Sequence, residues 1–261
     1  MSEAVLGAAA KRKPPFAPYH KWDRDFFLIY VVLIWFGVVV GFGSDLIRHV
    51  RTGEAPYPLI VHFHAAAFSG WLALLTVQVL LIRARRQDIH RKLGMAAMVL
   101  APVMVVLGIA AAITVHRALF GLPVTKPTHN LAFLAIQLTD MLAFATLTAA
   151  AFVQRRNPPA HKRLILLATL YIADAGFGRW LGGSIVALLG ADGFWPTYAR
   201  IYLPCGLLML GIGGYDLVTR KRLHPVYVAA IGWIFVLQLT AVTLNRSPLW
   251  KPVALQLIGQ G

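Results

Sequence analysis

The chain consists mainly of long apolar runs that are separated by short polar segments. Seven runs are each long enough to cross about 30 Å of hydrocarbon, for which an α-helix needs roughly 20 residues. They cover residues 26–44, 59–82, 93–115, 131–153, 164–190, 201–219 and 226–244. These runs are apolar on all sides, whereas strands of a membrane barrel alternate between apolar and polar positions. The pattern therefore predicts an all-α, polytopic membrane bundle of seven transmembrane helices.

The composition agrees with a membrane protein. Hydrophobic residues make up 58% of the 261 residues and charged residues only 13%, whereas soluble proteins contain about 25% charged residues. A soluble globular domain and a disordered chain are therefore excluded. The single cysteine, Cys205, excludes a disulfide framework and a CxxC metal site.

The distribution of basic residues predicts the orientation. The chain has 25 Lys and Arg against 10 Asp and Glu, a net charge of +15. Most of the basic residues lie in the N-terminal tail and in the connections after the second, fourth and sixth runs, which share one side of the membrane. By the positive-inside rule this side is cytoplasmic. We therefore expect a bacterial-type inner-membrane protein with a cytoplasmic tail over 1–25, a transmembrane domain over 26–244 and an outer tail over 245–261. Because the charge follows topology, we expect no nucleic-acid partner, and the lipid bilayer is the expected surrounding.

Four histidines lie on four consecutive runs, at two depths. His64 and His129 are near the outer ends of the second and fourth runs, and His90 and His161 precede the third and fifth runs on the inner side. His62 also lies on the second run, but it is about 200° from His64 around a helix, so only one of them faces the bundle. His64 shares a stripe with the polar Gln78, which favours His64 as the inward residue.

This arrangement resembles the cytochrome b561 family of two-haem transmembrane reductases, over roughly residues 59–190. The likeness lies in the histidine positions and not in a shared sequence signature. It implies a membrane electron carrier with two b-type haems, one held by His64 and His129 and one by His90 and His161. Arg179 would then contact a haem propionate or the neighbouring Asp residues. The expected partners are an electron donor or acceptor such as quinol, and a homo-oligomer or larger membrane complex.

The segments around His90 and His161 also resemble recurring motifs of uncharacterised bacterial multi-span membrane proteins. They read His-Arg-Lys-Leu-Gly over 90–94 and Pro-Ala-His-Lys-Arg-Leu over 159–164. This second resemblance implies no activity.

A second hypothesis is a transition-metal site in a membrane enzyme. Histidines from the second to fourth runs could converge near the outer surface to bind Zn, Cu or non-haem Fe. These residues are His62, His64, His116 and His129. Their spacing does not match the HExxH signature.

A third hypothesis rests on polar residues inside the spans. Asp140 and Asp174 lie at nearly the same depth in the fourth and fifth runs, and Arg179 lies five residues further outward. Gln78 and Gln137 are buried polar positions of the same bundle. A charged residue at a helix centre costs roughly 2.5–3.5 kcal/mol, so these residues are expected to pair or to face a polar cavity. Either they tie two helices together, or they line a pathway for protons or a small anion in a cofactor-free carrier or complex subunit.

One more charged pair is expected near the inner end of the sixth run. Asp216 precedes Arg220 by four residues, the spacing of neighbouring side chains on a helix surface. We therefore predict a local ion pair between these two side chains.

Overall fold

A computed structural model describes residues 16–53, 56–124, 126 and 129–261. Residues 1–15 of the predicted N-terminal tail lie outside this range. The described residues form eight α-helices and no strand: α1 Asp23–Thr52, α2 Leu59–Arg83, α3 Gln87–Leu119, α4 Leu134–Val153, α5 Pro158–Leu189, α6 Phe194–Arg220, α7 Pro225–Arg246 and α8 Trp250–Leu257. The first seven are long and apolar enough to cross a membrane, with 3₁₀ turns extending the fourth to Leu131–Arg156. The prediction of an all-α, seven-helix bundle is confirmed.

Several helices extend beyond the apolar runs that predicted them. The run over 26–44 belongs to α1, which continues to Thr52, and the run over 93–115 belongs to α3, which begins at Gln87. The additional residues are mostly polar, but a helix that leaves the hydrocarbon keeps its backbone hydrogen bonds. The apolar pattern therefore marks the hydrocarbon segment and not the helix ends.

The first five helices form a ring. Each packs on the next in chain order, and α5 closes the ring by packing on α1. Helices α6 and α7 lie outside the ring, where α6 packs on α5 and α7 packs on α4, α5 and α6. Among the described residues, α2 has no extensive contact with α4, and α3 has none with α5. These two pairs of helices are therefore not neighbours in the ring, although they carry the paired histidines.

Helices α1 and α5 approach each other closely through glycine. A Cβ atom on Gly41 would collide with the backbone carbonyl of Gly176, and one on Gly37 would collide with the ring of Phe177. Small residues let membrane helices come this close, where van der Waals contacts hold them together. This contact fixes α1 against the central helix of the bundle.

The middle of the ring is filled by side chains. The indole Nε1 of Trp71 donates a hydrogen bond to Thr169 Oγ1 at 3.1 Å, and its ring packs edge-on against Phe144 with centroids 5.1 Å apart. Met104 from α3 is fully buried beside them in the same core. These contacts join α2, α4 and α5 within the core.

One end of the bundle is rich in basic residues. We call it the basic end, defined by residues 16–25, 83–92, 154–163 and 219–226, and we call the other end the Asp45 end. At the basic end the Asp23 carboxylate accepts hydrogen bonds from Lys162 and Tyr215, both at 2.6 Å, and from Arg220. This arrangement ties α1 to α5 and α6.

A buried ion pair also lies at the basic end. Arg163 binds Asp216 through two hydrogen bonds, and neither side chain is more than 1% exposed. Arg220 Nη1 lies 3.6 Å from the same carboxylate. The predicted local pair between Asp216 and Arg220 is therefore present, but Arg163 of α5 is the closer partner.

Candidate functional site

His90 and His161 are both half-buried in the first turn of a helix at the basic end. Pro158 and Pro159 occupy the first two positions of α5, where the fixed backbone angle of proline favours the start of a helix. The imidazoles of His90 and His161 are close enough to interact electrostatically. The structure therefore places the two inner histidines of the predicted haem set at the same end of the bundle, within electrostatic range of each other.

The surroundings of the two imidazoles differ. His161 Nδ1 lies 2.9 Å from the carbonyl oxygen of Ala151 on α4. Because a carbonyl only accepts, Nδ1 carries the hydrogen and the neutral ring keeps its lone pair on Nε2. His90 Nδ1 is buried without a hydrogen-bond partner among the described residues, while the His90 carbonyl accepts a bond from Gln78 Nε2 at 3.2 Å.

At the Asp45 end, His64 faces the bundle and His62 does not. His62 is exposed, whereas His64 is half-buried with its ring 4.1 Å from the ring of Phe68. His64 Nδ1 is buried and unpartnered in the described part of the chain, and the ring is within electrostatic range of Arg179. His129 lies just before α4 and is half-buried. The inward orientation of His64 agrees with the helical stripe in the sequence.

His116 has a structural position. It is 2% exposed, and its ring nitrogens lie 2.9 Å from the Ala112 carbonyl and 3.2 Å from the Asn130 carbonyl. It thus ties the end of α3 to the segment that leads into α4. Among the residues that the structure describes, no three His, Cys, Asp or Glu side chains are grouped as metal ligands. The four histidines of the metal hypothesis are therefore not brought together there.

Arg179 pairs with Asp45, a residue outside the predicted buried polar network. Its Nε lies 3.5 Å from Asp45 Oδ2 of α1, and its guanidinium stacks 4.4 Å from the ring of Phe42. Lys126 and Arg48 approach the same carboxylate. Asp45 follows the apolar run that ends at residue 44, so it was not counted among the charged residues inside the predicted spans. The observed ion pair of Arg179 joins α5 to α1, whereas the sequence suggested an Asp140–Arg179–Asp174 network.

Asp140 and Asp174 are brought together in the bundle interior. Both are buried and interact electrostatically with each other, and Arg179 is within electrostatic range of Asp174. Asp140 Oδ1 and Asp174 Oδ2 have no hydrogen-bond partner among the described residues, and neither has Gln137 Oε1 one turn earlier on α4. The equal depth that the sequence predicted for the two carboxylates is consistent with their being within electrostatic range of each other.

Three further side chains belong to this region but were not predicted. Tyr171 of α5 and Tyr202 and Cys205 of α6 are each 1% exposed and lie within electrostatic range of both carboxylates. The two tyrosine rings are 6.0 Å apart. Aromatic residues in an apolar run indicate core packing, so the sequence gave no sign that the two tyrosines lie near the carboxylates.

No family model, curated protein or solved structure matches this chain. The resemblance to the cytochrome b561 family therefore stays a prediction.

Proposed function

We propose that the protein is a membrane electron carrier that holds a b-type haem between His90 and His161. The observation that carries this proposal is the pair of inward imidazoles at the basic end, one of them already held in a ligating tautomer. Histidine is the usual protein ligand of b-type haem in helical bundles. The two residues lie on α3 and α5, which have no extensive contact with each other among the described residues.

The residues at this end fit such a group. A ligating histidine commonly donates its second ring nitrogen to a carbonyl, which fixes the tautomer and the ring orientation. The hydrogen bond from His161 Nδ1 to Ala151 has this form. A buried nitrogen without a partner costs free energy, so the unpartnered Nδ1 of His90 indicates a ring whose surroundings are incomplete.

Neighbouring residues support binding in two further ways. Arg91 and Lys92 are exposed beside His90 and offer positive charge to carboxylate groups at the membrane surface. The Gln78 side chain of α2 also donates to the backbone carbonyl of His90 at 3.2 Å, which ties α2 to the first turn of α3. When bound, haem accepts and releases one electron. We further propose that His64 and His129 hold a second haem at the Asp45 end, which extends the carrier across the membrane.

The other expectations follow from this proposal. A quinol is the donor or acceptor that a carrier within the bilayer would meet, in a homo-oligomer or a larger complex. The basic end would face the cytoplasm of a bacterial cell.

The test is a visible spectrum of the purified full chain in detergent, reduced with dithionite minus air-oxidised, after expression with an adequate haem supply. We expect a sharp reduced α band. His90→Ala and His161→Ala should each lose the haem of the basic end. His161→Gln adds a stringent variant, because its amide can still donate to the Ala151 carbonyl but offers no imidazole ligand.

His62→Ala is the matched control, because it removes an exposed histidine from α2 and should leave the spectrum unchanged. A flat spectrum of the haem-supplied wild type would overturn the proposal. So would full absorbance in folded His90→Ala and His161→Gln.

A further inference from the structure

We propose that Asp140 and Asp174 form a single proton-binding site in the membrane interior, whose polar connections lead only toward the Asp45 end in the described part of the chain. This site lies between α4, α5 and α6 and does not depend on the haem. Its ligand is one proton held between two carboxyl groups.

The two carboxyl groups of the pair are not expected to be ionised at the same time. Two ionised carboxylates side by side in an apolar interior repel each other and lose their hydration, so such a pair retains a proton. The nearest cation is Arg179, which is within electrostatic range of Asp174 but is ion-paired with Asp45 at 3.5 Å. One proton leaves the pair with a single negative charge, which Arg179 partly balances.

Several buried oxygen atoms around the pair have no hydrogen-bond partner among the described residues. The hydroxyls of Tyr171 and Tyr202 are buried and unpartnered among the described residues, as are one oxygen of Asp140 and one of Asp174. The two tyrosines lie on different helices, and each residue is 1% exposed. They can donate to the carboxyl oxygens as the proton comes and goes.

The charged and titratable groups that face the pair are few. They are Tyr171 and Arg179 from α5 and Tyr202 and Cys205 from α6, with Asp45 of α1 acting through Arg179. In the described part of the chain, no third His, Cys, Asp or Glu completes a metal site here. The carboxylates stand on the uninterrupted helices α4 and α5, whose carbonyl oxygens are used within the helices. The donors therefore suit a proton better than a metal ion, which takes more oxygen ligands.

The side chains next to the pair differ between its two sides along the membrane normal. Toward the Asp45 end, Tyr198 lies one helical turn from Tyr202 on α6. The Tyr198 hydroxyl donates to Gln238 Oε1 of α7 at 2.7 Å.

Toward the basic end, the buried polar side chains Thr148 and Thr169 donate to the carbonyls of Phe144 and Ile165 within their own helices. Beyond Tyr171 and Cys205, the other buried side chains of the same three helices are apolar for about two turns, until the Arg163–Asp216 pair. These side chains are fully buried and comprise Phe144, Leu147, Leu167, Leu170, Met209 and Ile212. This layer closes the proton site on the side of the basic end.

Infrared spectroscopy of the full chain in detergent tests this proposal at neutral pH. The chain has only 10 Asp and Glu, and exposed carboxylates are ionised at this pH. We therefore expect one carbonyl stretch from a protonated carboxylic acid, which shifts in D₂O. Asp140→Asn and Asp174→Asn should each alter this band, and the double variant should lose it. Tyr171→Phe and Tyr202→Phe keep the packing and should shift the band, which gives a readout if the Asn variants do not fold.

Asp88→Asn is the matched control, since it alters an exposed carboxylate and should leave the band in place. Tyr198→Phe should slow the shift in D₂O, whereas Tyr227→Phe, on the basic side, should not. The proposal is overturned by a wild type without the band, or by a band that persists in the folded double variant. These readouts need no bound haem, so failure of the electron-carrier proposal would not affect them.

Discussion

The buried pair of Arg163 and Asp216 provides a quantitative test of how the bundle is stabilised. Arg163 Nε donates to Asp216 Oδ2 at 2.7 Å, and Arg163 Nη1 donates to the Pro159 carbonyl at 2.6 Å. The side chains are 1% and 0% exposed. Asp216→Asn removes the negative charge at nearly constant shape and leaves the guanidinium buried without its counter-ion.

The expected loss follows from these distances. Two opposite charges 2.7 Å apart attract each other by about 6 kcal/mol at an effective dielectric constant of about 20. Desolvation offsets much of this attraction in the intact pair, but the loss of one partner leaves the desolvation cost of the other. Such changes cost roughly 3–5 kcal/mol of unfolding free energy. We expect Arg163→Met to lie nearer the lower value, because Asp216 keeps Arg220 at 3.6 Å.

The assay is the unfolding of the purified protein in mixed micelles with increasing SDS. The double variant Arg163→Met with Asp216→Leu should recover most of the lost stability, since well-packed apolar residues often replace a buried ion pair without loss. Arg86→Met is the control, because its pair with Asp88 is more than half exposed and such pairs contribute about 0–1 kcal/mol. A loss below about 1 kcal/mol in Asp216→Asn would refute the reasoning, as would a double variant no more stable than the single one.

Two further outcomes are expected. Gly41→Ala should lower the unfolding free energy by about 1–3 kcal/mol, because its Cβ would collide with a carbonyl of α5, whereas Gly43→Ala meets no atom within 4 Å and should be nearly neutral. Burial lowers the pKa of His224 below its ordinary value of 6.5, and the nearby positive charge of Arg163 lowers it further. The contribution of the neutral ring to stability is therefore present above about pH 6.5 and is lost as the pH falls and the ring is protonated. His224→Asn keeps a capping acceptor for α7 and should flatten the change in Tm between pH 8 and pH 5; an unchanged pH profile would contradict this.

The helices were predictable because the hydrocarbon core imposes a length and an all-round apolar surface on each span. The same criterion could not locate helix ends. Asp45 shows the consequence, since it lies one residue beyond the apolar run over 26–44 but is still within α1. Its ion pair with Arg179 was therefore missed, although Arg179 itself was recognised as a buried charge.

The candidate sites were predictable only as far as single helices determine them. Helical periodicity favoured His64 over His62 as the inward residue, and the sequence placed Asp140 and Asp174 at nearly equal depth. Periodicity does not say which helices are neighbours. The contact of Arg163 with Asp216 depends on α5 lying against α6, and the sequence offered only the local partner four residues away.

The position of α6 also explains why the two proposed sites can be separated by mutation. The four histidines of the haem proposal are carried by α2, α3 and α5 and by the segment before α4, all within the ring. The proton site combines Asp140 of α4 and Asp174 of α5 with Tyr202 of α6, a helix that packs outside the ring. A substitution at Tyr202 should therefore alter the carboxyl band without altering a haem spectrum. A substitution at His90 should have the opposite effect, because α3 contributes none of the charged or titratable groups that face the carboxylates in the described part of the chain.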